Sequence, residues 1–325
     1  MSRRIVFKCA FGGKDGWGHA VRCSALASVF RQRGWETLLW TEGELSQLPK
    51  DVAASFSIAE RDGNLLADVL LVDEMYTEQA RLESVVDQWR QRNPRGVVGG
   101  IDDMQRRSMA GFDLVLNTEI GLREAAYEAG VSLLGERFAL LRAGFRSPAE
   151  LGDLSGFVGL VPALVMVGGT DAFGFLPRVL DALAAIETVP FAPVVIGPGE
   201  VDLGAFAAGR AYAGISSEEV AAWMRFCRLG VIGCGTSLYE AAAMELPFVG
   251  VSVVDNQTAT ARKVAAHWRM PVLHLEGGTD GPLDLGDPVA DLLGRKRESY
   301  SEVDTEGARR VADALEVLLA ERRSG

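Results

Sequence analysis

Short apolar runs rich in Val, Ile and Leu alternate with longer amphipathic stretches along the chain. The runs lack polar alternation, which is typical of strands buried on both faces of a parallel sheet. In the first half, the runs predict strands at 5–10, 36–40, 56–59, 68–73, 97–102 and 113–117. Helical periodicity lies between several of them, notably over 20–33 and 77–92. Strand–helix alternation of this kind predicts an α/β fold with a parallel sheet.

The pattern is interrupted over residues 143–161, where Gly, Pro and Ser occur without a clear period. It then resumes with strands predicted at 162–169, 193–197, 230–234, 248–253 and 271–275, and helices at 175–187, 217–227, 236–245 and 257–268. We therefore predict two Rossmann-like domains, 1–150 and 151–303, followed by an amphipathic helix within 304–325. Ligands of open α/β sheets bind outside the carboxyl ends of the strands, so we expect the site in a cleft between the domains.

Composition narrows the functional classes. With 48% hydrophobic and 24% charged residues, the chain has the composition of a soluble protein. A net charge of −11 argues against a general nucleic-acid-binding surface, which requires a basic face. The longest apolar region, 156–169, is shorter than the roughly 20 residues of a membrane helix, so we expect no membrane insertion.

The first residues do not have the pattern of a secretory signal, and we expect a cytoplasmic protein. The four cysteines, none of them in a C-x-x-C pair, are Cys9, Cys23, Cys227 and Cys234. Their spacing and apolar surroundings predict buried thiols in a reducing compartment rather than a zinc site. We expect no metal and no cofactor, and the sequence leaves the oligomeric state open.

The stretch FGGKDGWGHAVRC (11–23) combines a glycine-rich loop with one of only three histidines. Glycines such as Gly16 and Gly18 let the backbone approach a ligand, and the following helix offers free amides to an anion. The spacing is not that of a G-x-G-x-x-G dinucleotide site. His19 is either a catalytic residue or only a polar residue at a tight strand–helix turn. His267 and His274 lie away from glycine loops, and we interpret them as structural.

A similar arrangement recurs in the second half. In VMVGGTDAFG (165–174), Gly168, Gly169 and Thr170 follow a strand and precede a helix, so they are candidates to bind phosphate through backbone amides and a hydroxyl. Alternatively, Thr170 or the following Asp171 is only a helix cap.

The segment 230–257 contains a second candidate phosphate and sugar region. Gly235, Thr236 and Ser237 follow a strand, and Glu240 lies early on the next helix, where a carboxylate can accept both hydroxyls of a ribose. Asn256 and Gln257 open a later helix. The alternative is that Glu240 complements the helix dipole and the neighbouring Asp255 only caps.

Polar residues also end the strands of the first half: Asp73 with Tyr76 after it, Asp103 after Asp102, and Asn117. Parallel strands present one common end, so these side chains are expected on one side of the sheet. A carboxylate there can orient an imidazole or bind sugar hydroxyls. Some of them are alternatively only caps.

Taken together, these segments resemble the PseG-like UDP-sugar hydrolases of the pseudaminic acid pathway. That family is itself similar to the GT-B glycosyltransferases, near the lipid-II-forming N-acetylglucosaminyltransferase. The matching segments are GWGHAVRCSALA (16–27), LLVDEMY (70–76), IDDM (101–104), DLVLN (113–117), LGERFALLRAGF (134–145), VGGTD (167–171), ISSEEVAAWM (215–224), IGCGTSLYEAAAMELPFV (232–249) and DNQ (255–257). Their order and spacing carry the resemblance.

The resemblance implies a GT-B-like fold in which 304–325 packs back on the first domain. It implies that His19 is the general base for water, with Asp73 and Tyr76 as further catalytic candidates and Arg22 near the sugar. It also assigns the nucleotide side. There Gly169, Thr170 and Ser237 face the diphosphate, Glu240 binds ribose, Ile215 lies at the uracil, and Asn256 and Gln257 lie near the pyrophosphate and sugar.

One segment departs from the family. An aromatic residue usually follows the strand-end Asp in a D-x-Y pattern, whereas here Asp73, Glu74 and Met75 precede Tyr76. This segment should contact the sugar, so the sugar is expected to differ from the family's diacetamido-trideoxy-altrose.

Three functions remain open from the sequence. The first is inverting, metal-independent hydrolysis of a nucleoside-diphosphate sugar. The second is an inverting glycosyltransferase that uses the same site, with His19 activating an acceptor hydroxyl. An apolar and basic acceptor segment is not obvious, and the charge of −11 is unfavourable at an anionic membrane. The third is a non-catalytic nucleotide-sugar binding module.

Overall fold

The computed structural model divides the chain into two compact units. The first comprises Met1–Ala143 and Asp304–Gly325, and the second comprises Gly144–Val303. The structure describes residues 3–12, 17–44, 46, 48–59, 66–74, 77–103, 105, 107–125, 127–166, 174–197, 199–252, 255–275 and 283–325, with only the backbone at 255 and 256.

Each unit is built on one parallel sheet. The strands of the first are β1 (Arg4–Cys9), β2 (Glu36–Trp40), β3 (Ser57–Ile58), β4 (Val69–Asp73), β5 (Val97–Ile101), β6 (Leu114–Asn117) and β7 (Val131–Leu134), in the order β3-β2-β1-β4-β5-β6-β7. Those of the second are β8 (Val161–Met166), β9 (Phe191–Gly197), β10 (Arg210–Ala213), β11 (Leu229–Gly233), β12 (Phe248–Ser252) and β13 (Val272–His274), in the order β10-β9-β8-β11-β12-β13.

The helices in the described part of the chain connect and cover these strands. They are α1 (Gly18–Gln32), α2 (Lys50–Ala53), α3 (Gln79–Arg92), α4 (Phe175–Ala184), α5 (Ser217–Phe226), α6 (Ser237–Ala243), α7 (Asp255–Lys263), α8 (Gly286–Gly294) and α9 (Gly307–Ser324). A π-helical turn, Val264–Trp268, continues α7. No helix in the described ranges has the length and apolar character needed to cross a bilayer.

The first sheet is covered on both faces, which explains its uninterrupted apolar strands. On β1, Ile5 and Phe7 face one core with residues of α1 and α9, whereas Val6 faces a second core with residues of α3. Adjacent strand residues point to opposite faces, so a strand between two helical layers needs apolar side chains at successive positions.

In the second unit, β8 lies inside the sheet and pairs with both β9 and β11. Helix α5 begins with a capping box. The Ser216 hydroxyl accepts a hydrogen bond from the backbone N–H of Glu219, while the Glu219 carboxylate accepts one from the N–H of Ser216. These bonds satisfy amides at the helix start that have no partner within the helix.

The structure confirms the predicted α/β class with two parallel sheets. Four short elements were not predicted: α2, β7, α8 and the edge strand β10. Residues of β10 alternate between half-buried and exposed, and its sequence RAYA lacks a run of branched apolar residues. A pattern search based on buried strands therefore misses it.

Candidate functional site

The first cluster of functional side chains lies where three neighbouring strands end. Strand β1 pairs with β4, with Cys9 opposite Asp73, and β4 pairs with β5. Helix α1 starts shortly after β1. The parallel arrangement thus places the last residue of β4, the residues after β5 and the first turn of α1 at the same edge.

His19, in the first turn of α1, is paired with Asp73. Its Nδ1 lies 2.7 Å from Oδ1 of Asp73, and the side chains are 9% and 1% exposed. A buried carboxylate therefore lies within hydrogen-bonding distance of the imidazole at the start of α1.

Arg22 follows three residues later on the same face of α1 and binds two carboxylates. Its Nε donates to Oδ2 of Asp73 at 2.6 Å, and its Nη1 donates to Oδ1 of Asp103 at 2.9 Å. Its Nη2 lies 2.5 Å from Oδ1 of Asp73 and 2.8 Å from Oδ2 of Asp103. Arg22 therefore joins the end of β4 to the loop after β5.

The charges at this edge keep Asp73 ionised. Burial alone would raise the pKa of Asp73, but the positive charge of Arg22 and the hydrogen bonds of Arg22 and His19 lower it well below its ordinary value. Burial would likewise lower the pKa of Arg22, and the charges of Asp103 and Asp73 outweigh that effect and raise it.

An ionised Asp73 determines the tautomer of His19. A carboxylate only accepts hydrogen bonds, so Nδ1 must carry the proton and donate it; in the neutral imidazole, Nε2 then carries the lone pair. Nη2 of Arg22 also lies 3.0 Å from Nδ1. Nη2 of Arg22 and Nδ1 of His19 both carry protons in this state, so the 3.0 Å between them is a close contact and not a hydrogen bond. The arrangement leaves His19 with one nitrogen able to accept a proton.

Two buried cysteines lie against the same carboxylate. The sulfurs of Cys9 and Cys23 and a carboxylate oxygen of Asp73 lie within 4.8 Å of one another. Burial raises the pKa of Cys23 well above its usual value, which keeps the thiol protonated. Both oxygens of Asp73 already accept bonds from Arg22 and His19. This group is therefore a poor metal site. The sequence analysis did not predict that the two thiols lie close together.

The structure also explains one of the unusual residues after β4. Glu74 forms a buried ion pair with Lys8 of β1, with 2.9 Å between Oε1 and Nζ, and accepts a hydrogen bond from the Thr77 hydroxyl at 2.8 Å. The Lys8 ammonium lies 4.5 Å from the ring centroid of Trp40. Sequence reasoning missed this pair; a charged residue inside the apolar run of β1 was the available signal.

Asn117, at the end of β6, has polar partners inside the unit. Its Nδ2 donates to the Tyr127 hydroxyl at 2.9 Å, and its Oδ1 accepts from the backbone N–H of Glu119 at 2.9 Å. Tyr127 in turn donates to Oδ2 of Asp102 at 3.0 Å. These bonds give Asn117 a role in shaping the loops after β5 and β6.

The nucleotide-side candidates lie in the second unit, at the corresponding edge of its sheet. After β11, Gly235 and Thr236 are exposed, and a side chain added at Gly235 would meet nothing within 4 Å. Ser237 starts α6, on which Glu240 is buried, whereas Ile215 and Gln257 are half-buried. Because β11 lies between β8 and β12, the carboxyl ends of these three parallel strands share one edge.

Several predicted residues are not placed. Gly16, Tyr76, Gly168, Gly169 and Thr170 lie outside the described residues, as does the side chain of Asn256. Gly18 is described and begins α1. The side chains that the structure brings together are thus His19, Arg22, Asp73 and Asp103. The sequence signals for them were the helix start after the glycine-rich loop, for His19 and Arg22, and the position at strand ends, for Asp73 and Asp103.

Comparison with known proteins identifies the fold. No family model matches the chain, and no curated protein matches it in sequence. Among solved structures, MurG of Acinetobacter baumannii is 13% identical with a TM-score of 0.61, and covers 98% of this chain and 100% of its own. The calicheamicin glycosyltransferase CalG4 is 14% identical with a TM-score of 0.65 and 99% coverage of both chains.

A third similar structure is the spinosyn rhamnosyltransferase SpnG complexed with thymidine diphosphate, 14% identical with a TM-score of 0.54 and 99% coverage of both chains. Similarity over the full length of these proteins shows that the chain has the GT-B fold of glycosyltransferases. The predicted GT-B-like, two-Rossmann architecture is confirmed.

Proposed function

We propose that the protein hydrolyses a nucleoside-diphosphate sugar at the anomeric C–O bond, with inversion, and releases the nucleoside diphosphate and the free sugar. The observation that carries the proposal is the His19–Asp73 pair at the carboxyl edge of the first sheet, with 2.7 Å between Nδ1 and Oδ1. A histidine held in one tautomer by a buried carboxylate is suited to accept a proton from an attacking nucleophile.

In the proposed reaction, Nε2 of His19 takes a proton from water as the water oxygen attacks the anomeric carbon. The C–O bond to the diphosphate breaks, and its electron pair leaves with the diphosphate. Attack from the face opposite to the leaving group inverts the anomeric centre. Asp73 stabilises the imidazolium that forms and does not itself take the proton.

The second unit is proposed to hold the nucleotide. Exposed Gly235 and Thr236 and half-buried Ser237 supply amides and hydroxyls for the diphosphate, and the buried carboxylate of Glu240 accepts the ribose hydroxyls. Ile215 is assigned to the base, and Gln257 to the diphosphate and sugar. We assign the loop after β8, with Gly168, Gly169 and Thr170, and Asn256 to the same group on the resemblance to the UDP-sugar hydrolases.

The sugar is proposed to be a UDP-linked amino or deoxy sugar, recognised by the first unit. The Lys8–Glu74 pair at the end of β4 supports a sugar contact that differs from that of the related hydrolases. The four cysteines, free and buried, support a cytoplasmic location, where nucleotide sugars are formed and used.

The second candidate is an inverting glycosyltransferase, in which an acceptor hydroxyl replaces water at His19. It is consistent with the GT-B fold that the chain shares with MurG and CalG4. The proton transfer is the same in both cases, so only the nucleophile distinguishes them.

The two candidates are separated by incubating the protein with a panel of UDP- and dTDP-linked amino and deoxy sugars in ¹⁸O-labelled water without an acceptor. Hydrolysis predicts release of nucleoside diphosphate and a free sugar with ¹⁸O at the anomeric carbon, at a rate proportional to enzyme concentration. A transferase gives turnover only after an acceptor is added. Binding without turnover under both conditions would overturn the enzymatic proposal and favour a binding module.

A further inference from the structure

Asp103 binds Arg22, which in turn binds Asp73 of the His19–Asp73 pair. We propose that Asp103 is a positioning residue that sets the basicity of His19 through Arg22. The inference rests on the proposed function in one respect only, which is that His19 uses this basicity to accept a proton from the nucleophile. The network itself, and the effect of Asp103 on the imidazole, are independent of which sugar nucleotide binds.

Arg22 connects Asp103 directly to Asp73. One guanidinium binds both carboxylates, through Nε and Nη2 to Asp73 and through Nη1 and Nη2 to Asp103. Nη2 is shared, at 2.5 Å from Asp73 and 2.8 Å from Asp103. A change at Asp103 therefore reaches Asp73 through a planar group of fixed geometry, without an intervening flexible chain.

Asp103 also changes the net charge beside His19. Asp73 and Arg22 together are electrically neutral, so the pair alone gives little net support to a protonated imidazole beside it. Nη2 lies 3.0 Å from Nδ1 of His19, where its positive charge opposes protonation directly. Ionised Asp103 brings the sum of Asp73, Arg22 and Asp103 to −1 and restores an electrostatic preference for the imidazolium.

Asp103 and Asp73 also compete for the hydrogen bonds that Arg22 donates. If Asp103 loses its charge, the guanidinium is drawn entirely to Asp73, and the Asp73 oxygen that accepts from His19 Nδ1 becomes a weaker acceptor. This effect has the same sign as the change in net charge. Both make His19 less basic when Asp103 is neutralised.

The thiols of Cys9 and Cys23 and the Lys8–Glu74 pair do not supply the same charge, and the buried carboxylate of Asp102 accepts a hydrogen bond from the Tyr127 hydroxyl. The hydrogen bond from Cys23 lowers the pKa of Cys9, but burial raises it above its usual value, and burial raises that of Cys23 further, so both thiols stay neutral. Glu74 is neutralised by Lys8. Asp103, with a side chain 27% exposed, is the charge at this edge that solvent or a bound ligand can reach most easily among these groups.

The test is a titration of the histidine rings by NMR in the full chain labelled with ¹⁵N-histidine. Only three histidines are present, and H19Q assigns the His19 signal by its loss. We expect D103N to move the midpoint of the His19 titration to lower pH by about 0.5 to 1 unit. D103E, which keeps the charge, should return the midpoint close to that of the wild type.

The matched control is D68N. Asp68 precedes the first residue of β4, at the end of the strand opposite to Asp73. Its carboxylate accepts a hydrogen bond from the backbone N–H of Arg4 and pairs with Arg323. D68N therefore removes one negative charge from the same unit without changing a contact of Arg22 or His19. An unchanged His19 midpoint in D103N, or an equal shift in D68N, would overturn the inference.

The same variants distinguish this inference from the proposed function. If His19 is the general base, the acidic limb of the kcat/KM profile moves with the NMR midpoint, because the base stays deprotonated to lower pH. An NMR shift in D103N without a matching shift of the acidic limb supports the role of Asp103 and contradicts the assignment of His19 as the base.

Discussion

Asp73 is almost fully buried and accepts hydrogen bonds from His19 and Arg22. Its burial would cost several kcal/mol if the charge were unpaired, and the guanidinium offsets that cost. The carboxylate thus has a structural partner and a proposed catalytic partner. A change at Asp73 should therefore affect both stability and turnover.

We predict that D73N lowers kcat by about 100-fold or more, the usual contribution of a general base, because an amide no longer holds His19 in the required tautomer. Steady-state kinetics measures the loss, and circular dichroism checks that the variant is folded. Activity within about threefold of the wild type would contradict the role of Asp73.

The same substitution changes how stability depends on pH. The pKa of Asp73 is lower in the folded than in the unfolded protein, so its ionised form stabilises the fold above the ordinary carboxyl pKa of about 4 and this contribution is lost as the pH falls below it. Urea unfolding at pH 7 and pH 3 should therefore show a gap between wild type and D73N that shrinks at the lower pH. The exposed control D181N should show no such change.

At the scale of elements, the apolar runs predicted the buried strands correctly because a strand covered on both faces must be apolar throughout. They failed for β10, whose residues are half-buried or exposed, and for the four-residue α2, which has only one buried side chain. The same reasoning predicted which side chains end the strands. It could not predict that Arg22 joins Asp73 to Asp103, because side-chain pairing across strands depends on packing that periodicity does not encode.

Within the first unit, helix α9 packs closely at its first residue against the backbone of Phe138 and Ala139. A side-chain carbon added at Gly307 would lie 2.2 Å from the backbone oxygen of Ala139 and 2.8 Å from the carbonyl carbon of Phe138. Backbone atoms cannot move aside as a flexible side chain can. Glycine is therefore required for this contact.

We predict that G307A lowers the free energy of unfolding by about 1 to 3 kcal/mol through overpacking. The control is G294A at the end of α8, where an added carbon meets nothing within 4 Å; it should be neutral or stabilising by up to about 1 kcal/mol. Thermal and urea unfolding measure both. Equal stability of the two variants would refute the close approach.

At the scale of the whole molecule, both ends of the chain contribute to the first unit. Residues 304–325 belong to it although they follow the entire second unit, and Leu315 and Leu319 of α9 lie in the same core as Phe7 and Phe30. The two-domain plan followed from the repeated strand–helix pattern. That pattern could not predict whether the nucleophile is water or an acceptor hydroxyl, because a hydrolase and a transferase of this fold require the same buried strands and the same loops.

The shared core predicts a large effect on stability at one position of α9 and almost none at a second position two residues away. Leu315 is fully buried and Val317 is 57% exposed. L315D should destabilise the first unit by about 4 kcal/mol or more because it buries an unpaired charge, whereas V317D should change stability by less than about 0.5 kcal/mol. Hydrogen exchange should show the loss of protection in β1 and β5. Unchanged protection of these strands in L315D would contradict a shared core.

The central claim is that His19 accepts the proton in a reaction of a nucleoside-diphosphate sugar. The direct measurement compares kcat of H19Q with that of wild type on the best substrate of the panel, while calorimetry measures nucleoside-diphosphate binding. The exposed histidine variants H267Q and H274Q are the controls. We predict that H19Q loses about 100-fold or more in kcat with binding preserved and that both controls keep wild-type rates. Turnover by H19Q at a rate near that of the wild type would contradict the account.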